Sequence, residues 1–302
     1  MKKHYAAAIS AFVIWGFFPI PLKALSGYPA GEILYFRILF STLILLIVVF
    51  GFRRTHIRSD WAYFLSFSPT KKKEVIFLTL AGGILLTINW LSFIYIINNI
   101  NIKTASFSYL ICPVITAILG FVLIKERLTT MQWMAVGLCG LSCVMMGINS
   151  LLELGYSFLT ALTFALYLIT QRRNQGFDRL VMLGIQVLFS FFILNLFYSQ
   201  LIQSPPVAGE FYTIIIIIAG LFTVFPLFLN LFALNKINSA TIGILMYINP
   251  ILNFILAFLV YKESISSIQI VGYIIIAAAL VLFNYPNLNK IKAATGFEKF
   301  PA

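Results

Sequence analysis

Apolar residues run along this chain in ten long blocks, at 4–25, 32–51, 74–97, 102–124, 130–149, 153–171, 179–201, 211–234, 239–261 and 267–284, separated by short polar gaps. Each block is near the length that a hydrocarbon core of about 30 Å demands of an α-helix rising about 1.5 Å per residue. The pattern predicts an all-α polytopic membrane protein with ten transmembrane helices.

One stretch occurs twice without a gap. NNINIKTASFSYLICPVITAILGFVLIKE, from Asn98 to Glu126, aligns with NKINSATIGILMYINPILNFILAFLVYKE, from Asn235 to Glu263. Asn98, Asn101, Thr104, Pro113, Lys125 and Glu126 fall on Asn235, Asn238, Thr241, Pro250, Lys262 and Glu263. A shared register with a proline in mid-run marks a duplicated structural unit. Each copy opens with a polar turn, continues as an apolar helix interrupted by its proline, and closes on Lys-Glu. The division is residues 1–149 as the first repeat, with a basic loop at 51–73, 150–284 as the second, and 285–302 as a poorly ordered tail. Five spans per half is odd, so the second copy enters the membrane inverted. Inverted repeats recur in secondary transporters, where two halves rock about a midplane site. They occur in channels as well, which leaves the choice between carrier and channel open.

Composition fits the membrane reading: 61% of residues are hydrophobic, 10% are charged and the mean hydropathy is +0.98. A net charge of +12 raises the question of nucleic acid. The basic residues, however, sit in short gaps between apolar runs rather than on one face of a soluble domain, so no nucleic-acid partner is expected. With the N-terminus inside, only Lys23, Lys103 and Lys262 fall outside and Arg37 falls within a span. The bias has the sense that the positive-inside rule demands. Both termini are expected in the cytoplasm and the protein in the plasma (inner) membrane, with the first block retained as a span rather than cleaved as a signal peptide. The loop at 51–73 carries WAYFLSF between basic ends, the composition of an interfacial anchor that meets membrane lipid.

Chemistry is sparse. Cys112, Cys139 and Cys143 lie inside apolar runs and read as small buried hydrophobes. The histidines, His4 and His56, lie in the tail and the basic loop, and no mid-span carboxylate pair offers an acid and a base or a metal cage. Neither an enzyme nor a metal or other cofactor is expected, and a coupling proton would need Glu32 or a flanking acid.

Arg37 is the exception within an apolar span. It lies five residues inside Glu32, about 7.5 Å deeper and about 140° round on a regular helix, so the two do not face each other. A charge at that depth faces protein or water and seeks a partner, either a structural ion pair or an anionic substrate group. Pro113 and Pro250 free the carbonyls of Tyr109 and Met246, which water, a side chain or a ligand must satisfy. These prolines and Glu32 are the candidate kink and gate positions. Tyr109, Tyr247, Asn249 and Asn253 surround them, and Trp15, Asn89, Trp90, Tyr95, Asn230 and Pro226 come from other spans. Each of these side chains reads either as helix–helix packing or as the lining of a binding cavity.

VIWGFFPI from Val13, EILYFR from Glu32, NWLSFIY from Asn89, SFSYLICP from Ser106 and GILMYINP from Gly243 together resemble the drug/metabolite transporter superfamily. Within it they resemble the EamA-type ten-helix members of the RarD-like group. The resemblance implies two inverted five-helix repeats, a central cavity and export or exchange of small metabolites. Phe36 and Cys112 stand where the pattern has His and Asn. The reading is a transporter exporting or exchanging small amphipathic, amino-acid-like compounds or drugs by alternating access, with Trp15, Arg37, Asn89, Trp90, Tyr95, Tyr109, Tyr247, Asn249 and Asn253 toward the substrate. A passive facilitator and a non-transporting structural protein are the alternatives, and the oligomeric state is left open.

Overall fold

A computed structural model of the chain describes residues 2–147, 151–202, 205–237, 239–262 and 266–295. The described residues form helices joined by short turns, with no strand among them. In chain order these are α1 (Lys2–Gly16), α2 (Pro19–Lys23), α3 (Ala30–Phe52), α4 (Arg54–Leu65), α5 (Pro69–Asn99), α6 (Ile102–Ile124), α7 (Thr130–Gly147) and α8 (Leu151–Arg173). There follow α9 (Arg179–Leu196), α10 (Tyr198–Leu201), α11 (Gly209–Ala219), a π-helical turn at Gly220–Val224, α12 (Phe225–Leu234), α13 (Ser239–Leu245), α14 (Ile248–Leu259) and α15 (Ser267–Thr295). Among the described residues, eight helical stretches are long and apolar enough to cross a membrane, and two shorter apolar ones lie at Thr130–Met145 and Ile270–Phe283.

Local chemistry sets the boundaries. Asn101, in the polar turn that opens the first copy of the repeat, accepts the Thr104 N–H at 2.6 Å and starts α6. Ser68 does the same for α5, with Pro69 at the first helical position. The Lys-Glu ends stop helices: Lys125 and Lys262 both take positive φ, 56° and 51°. At the first of them the Glu126 N–H returns to the Gly120 carbonyl at 3.0 Å.

Three expectations change here. The segment at 51–73 is no open loop but is built around α4, because RTHIRSDWAYFL carries no glycine or proline to stop a helix. The α15 backbone runs on to Thr295, past the expected end at 284, and its last turns carry Lys290, Lys292, Ala293 and Ala294, good helix formers. The two repeat prolines also differ in effect. The second copy breaks at Met246–Tyr247 between α13 and α14, where the Met246 carbonyl accepts the Asn249 N–H at 3.0 Å, whereas α6 passes through Pro113 as one helix. Another break, between α1 and α2, precedes Pro19.

Halves interleave. Helix α8 packs on α5 and α6, while α1 packs on α12, α13 and α14; α3 meets α9 and α11; α6 meets α13 and α14; and α7 lies against α15. Glycines allow the closest approaches. A Cβ on Gly83 of α5 would stand 2.9 Å from the Gln186 carbonyl of α9, and one on Gly243 of α13 would stand 3.3 Å from Pro113 Cα. Without a hydrophobic drive between helices in lipid, such backbone proximity supplies the packing.

Candidate functional site

Helix α3 carries Arg37 into the middle of the bundle, where it is 2% exposed. Its Nε donates to Thr223 Oγ1 at 2.8 Å, and Nη1 has no hydrogen-bond partner. The guanidinium lies 4.5 Å from the ring centre of Trp90 and 4.8 Å from that of Phe18, positions that gain cation–π attraction. Among the described residues no carboxylate pairs with it, and Glu32, itself buried, forms no ion pair with it. A separation of five residues along the helix explains this, because it puts them on different faces.

The partner face is the π-helical turn. Pro226 brings no N–H to the carbonyl four residues back, that of Phe222, and Trp15 Nε1 donates to this carbonyl at 3.0 Å. One residue on, Thr223 Oγ1 donates to the Ile218 carbonyl at 2.8 Å and accepts from Arg37. The irregular turn thus presents one backbone acceptor to Trp15 and one hydroxyl to Arg37, the kind of interruption that π-turns introduce at functional sites. Aromatic rings close the surround. Phe18 stacks between Phe93 and Phe222 with centroids 5.8 Å apart in each case, Phe93 meets Tyr109 at 5.2 Å, and Tyr109 and Trp15 both meet Phe164.

Of the residues selected from sequence, Trp15, Arg37, Trp90 and Tyr109 thus come together. The others are placed elsewhere. Asn89 is fully buried and donates to the Thr160 carbonyl of α8 at 2.8 Å, while Ser92 is hydrogen-bonded to the Thr160 hydroxyl. Tyr247 belongs to a separate core with Leu110, Cys139 and Phe283. Asn253 donates to Asn249 at 2.8 Å, and the Pro250 carbonyl accepts from Ser106 at 3.2 Å. Tyr95 lies near the end of α5, its ring 5.2 Å from Tyr156, and helps line a cavity of 560 Å³ with Ser92, Asn99 and Gln200. Phe36 points away from Arg37 and meets Phe211 and Tyr212 edge-on. Glu263 lies outside the described residues.

The opposite end of the bundle is tied shut. Arg172 donates to the Leu234 carbonyl at 2.7 Å and pairs with Glu126 at 3.4 Å, and the His4 ring stacks on Phe232 with centroids 4.4 Å apart. Helix α4 is latched there: the Asp178 N–H donates to Asp60 at 3.0 Å, Arg53 approaches Asp178 at 3.4 Å, and Tyr63 covers Gly176, whose φ of 105° suits glycine. Burial pushes the Asp60 carboxyl above its usual range, with the facing Asp178 carboxylate adding to the rise, while the Asp178 N–H and His56 act against it.

Sequence reading missed Arg179, which it took for a cytoplasmic gap charge. It is 5% exposed, donating to Asn235 at 2.8 Å and to the Gln171 carbonyl at 3.2 Å. The available signal was Asp178, a helix cap that accepts the N–H groups of Leu180 and Val181 and so places the following arginine inside the first turn of α9.

Known proteins resemble this chain over most of its length. The model of the EamA-like transporter family matches residues 2–148 and again 151–285. An uncharacterized transporter of Vibrio cholerae serotype O1 is 30% identical over 301 residues, covering 97% of this chain and 95% of its own. Protein RarD of Escherichia coli (strain K12) is 29% identical over 287 residues, covering 91% and 92%. One solved crystal structure, 12% identical, superposes with a TM-score of 0.67 over 93% of this chain and 96% of its own, a likeness of fold alone.

Proposed function

Because the chain belongs to the EamA-like transporter family, and is therefore a multi-pass membrane transporter, we propose that it exports or exchanges small amphipathic metabolites bearing a carboxylate, by alternating access between two inverted five-helix halves. The observation that carries this reading is Arg37, a buried guanidinium with a donor unused, no carboxylate beside it among the described residues, and a lining of aromatic rings. A cation in mid-membrane costs about 2.5–3.5 kcal/mol on insertion scales, and an anionic ligand group would offset that cost while the rings take its apolar part.

Packing supports the two-fold arrangement: α1 on α12 has its counterpart in α8 on α5, and α1 on α14 in α8 on α6. The basic bias puts α4 and the Arg172 ties on the cytoplasmic side of the plasma (inner) membrane and the cavity beside Tyr95 on the outer side. Ties within and an opening without correspond to an outward-facing arrangement. Glu32, buried near the outer end of α3, is the acid best placed to couple a proton.

A thermal-shift panel of amino acids, aromatic acids, amines and neutral analogues tests the reading. A ligand bound to the folded protein at about 100 times its Kd contributes about 2.7 kcal/mol. Carboxylates should stabilise the protein and their amides should not. Stabilisation by amines alone would overturn the assignment.

A further inference from the structure

Arg37 has a counterpart nearer the end of the bundle that α4 and Arg172 tie. Arg179 stands in the first turn of α9, at the positive end of a helix, where a cation is disfavoured. It is almost fully buried, yet its hydrogen bonds go to amide oxygens, those of Asn235 and Gln171, and Nη2 has no hydrogen-bond partner. Its neighbouring carboxylate acts on it electrostatically but forms no ion pair with it: Asp178 caps the helix and faces Arg53. The other cation nearby, Arg172, is engaged by Glu126.

Gln171, whose carbonyl accepts from Arg179, is 2% exposed and leaves its side-chain Nε2 without a partner, and Gln186, two turns further along α9, is fully buried with both Nε2 and Oε1 unpartnered. Both amides converge on the bare face of Gly82, where an added Cβ would stand 2.7 Å from Gln186 Nε2 and 3.1 Å from Gln171 Nε2. Tyr167, fully buried and within electrostatic reach of Arg179, has an unpartnered hydroxyl as well. Buried polar groups are almost always satisfied, so three idle N–H groups, on Arg179, Gln171 and Gln186, against the one idle amide oxygen of Gln186 point to an oxygen-rich, negatively charged ligand.

We propose that Arg179, Gln171, Gln186 and Tyr167 form an inner anion station, which takes the carboxylate of the substrate on the cytoplasmic side before Arg37 takes it at the centre. The proposal rests on the transport reading above and names a second stop on that path. It requires the α4 latch and the Arg172 ties to part, since in the present arrangement the site is closed. Gly82 fits the same account, as a side chain there would occupy the space into which both amides project.

Site-specific labelling tests it without requiring flux. Gln186→Cys, in a chain with Cys112, Cys139 and Cys143 replaced by Ala, is reconstituted in liposomes and exposed to an impermeant methanethiosulfonate on one face at a time. Benzoate is the probe and benzamide its neutral isostere. Labelling should occur from the cytoplasmic face, and benzoate at several times its Kd should slow it about fivefold while benzamide does not. Arg179→Gln should remove the protection, and Arg179→Lys and Arg37→Gln should keep it. Protection by benzamide equal to that by benzoate, protection that disappears in Arg37→Gln, or a cysteine that reacts from neither face would each overturn the proposal. Should Arg179→Gln not fold, the benzamide comparison and the Lys variant carry the test. A protein that shows the protection but moves no metabolite would refute the transport reading and leave the anion station standing.

Discussion

Replacing Arg37 by Gln takes away the charge at the centre of the bundle while leaving a side chain able to donate to Thr223. Hydrogen bonds to charged groups contribute about 1.5–3 kcal/mol, so carboxylate affinity should fall roughly 10- to 150-fold. Arg37→Lys should recover part of it, lacking the planar fork, and the unliganded protein should stay as stable or gain stability as a buried charge disappears. Isothermal titration and thermal unfolding read both outcomes; equal loss of affinity and folding in both variants would make Arg37 structural. Trp15 offers a sharper comparison, because its Nε1–H serves a carbonyl that Pro226 leaves without its helical donor. Trp15→Phe should cost about 1–3 kcal/mol for the unsatisfied group. In a Pro226→Ala background that cost should shrink, giving a coupling energy of about 0.5–3 kcal/mol in a double-mutant cycle, whereas additive effects would deny the link. Arg37 was legible in the sequence because a lone charge interrupts an apolar run. Thr223 was not, since a hydroxyl among isoleucines and phenylalanines signals nothing until a π-turn rotates it toward a neighbour.

Helices were legible for the same reason that their contacts were not. Apolar length is a local property, and the span expected at 102–124 returns as α6, while that expected at 179–201 returns as α9, which ends at Leu196, followed by the short α10. Which face of a helix meets which neighbour has no such signature when almost every residue is apolar. Glycine spacing carries the remaining information, and it separates two kinds of site. Gly83 meets backbone, the Gln186 carbonyl, while Gly140 meets nothing within 4 Å. Gly83→Ala should therefore destabilise by about 1–3 kcal/mol through overpacking. Gly140→Ala should be neutral or mildly stabilising, as alanine favours the helix by about 1 kcal/mol. Thermal unfolding of the two variants in detergent distinguishes them, and equal shifts would mean that α5 and α9 are not so closely apposed. Proline was a less faithful guide: an identical position in the two copies leaves α6 whole and breaks the second copy at Met246–Tyr247, where the Met246 carbonyl accepts the Asn249 N–H.

Viewed as one body, the molecule has two buried guanidinium groups without carboxylate partners among the described residues, Arg37 and Arg179, on elements from different halves. The long apolar blocks made an all-helical, multi-pass membrane protein readable from sequence, since a bilayer core fixes the length of the helices that cross it. Closure at one end was not readable, because the latch joins residues far apart in sequence, Arg53 and Asp60 with Asp178. A saturable carrier and a pore share this fold and differ in whether the site is ever open to both sides. Counterflow in proteoliposomes separates them. Liposomes loaded with an unlabelled carboxylate that stabilises the protein, diluted into trace radiolabelled compound, should accumulate label transiently above equilibrium. The overshoot should saturate with concentration and fall at least about tenfold in Arg37→Gln, the loss expected when a charged partner is removed. Simple equilibration without overshoot, unchanged by Arg37→Gln, would contradict a carrier organised around Arg37.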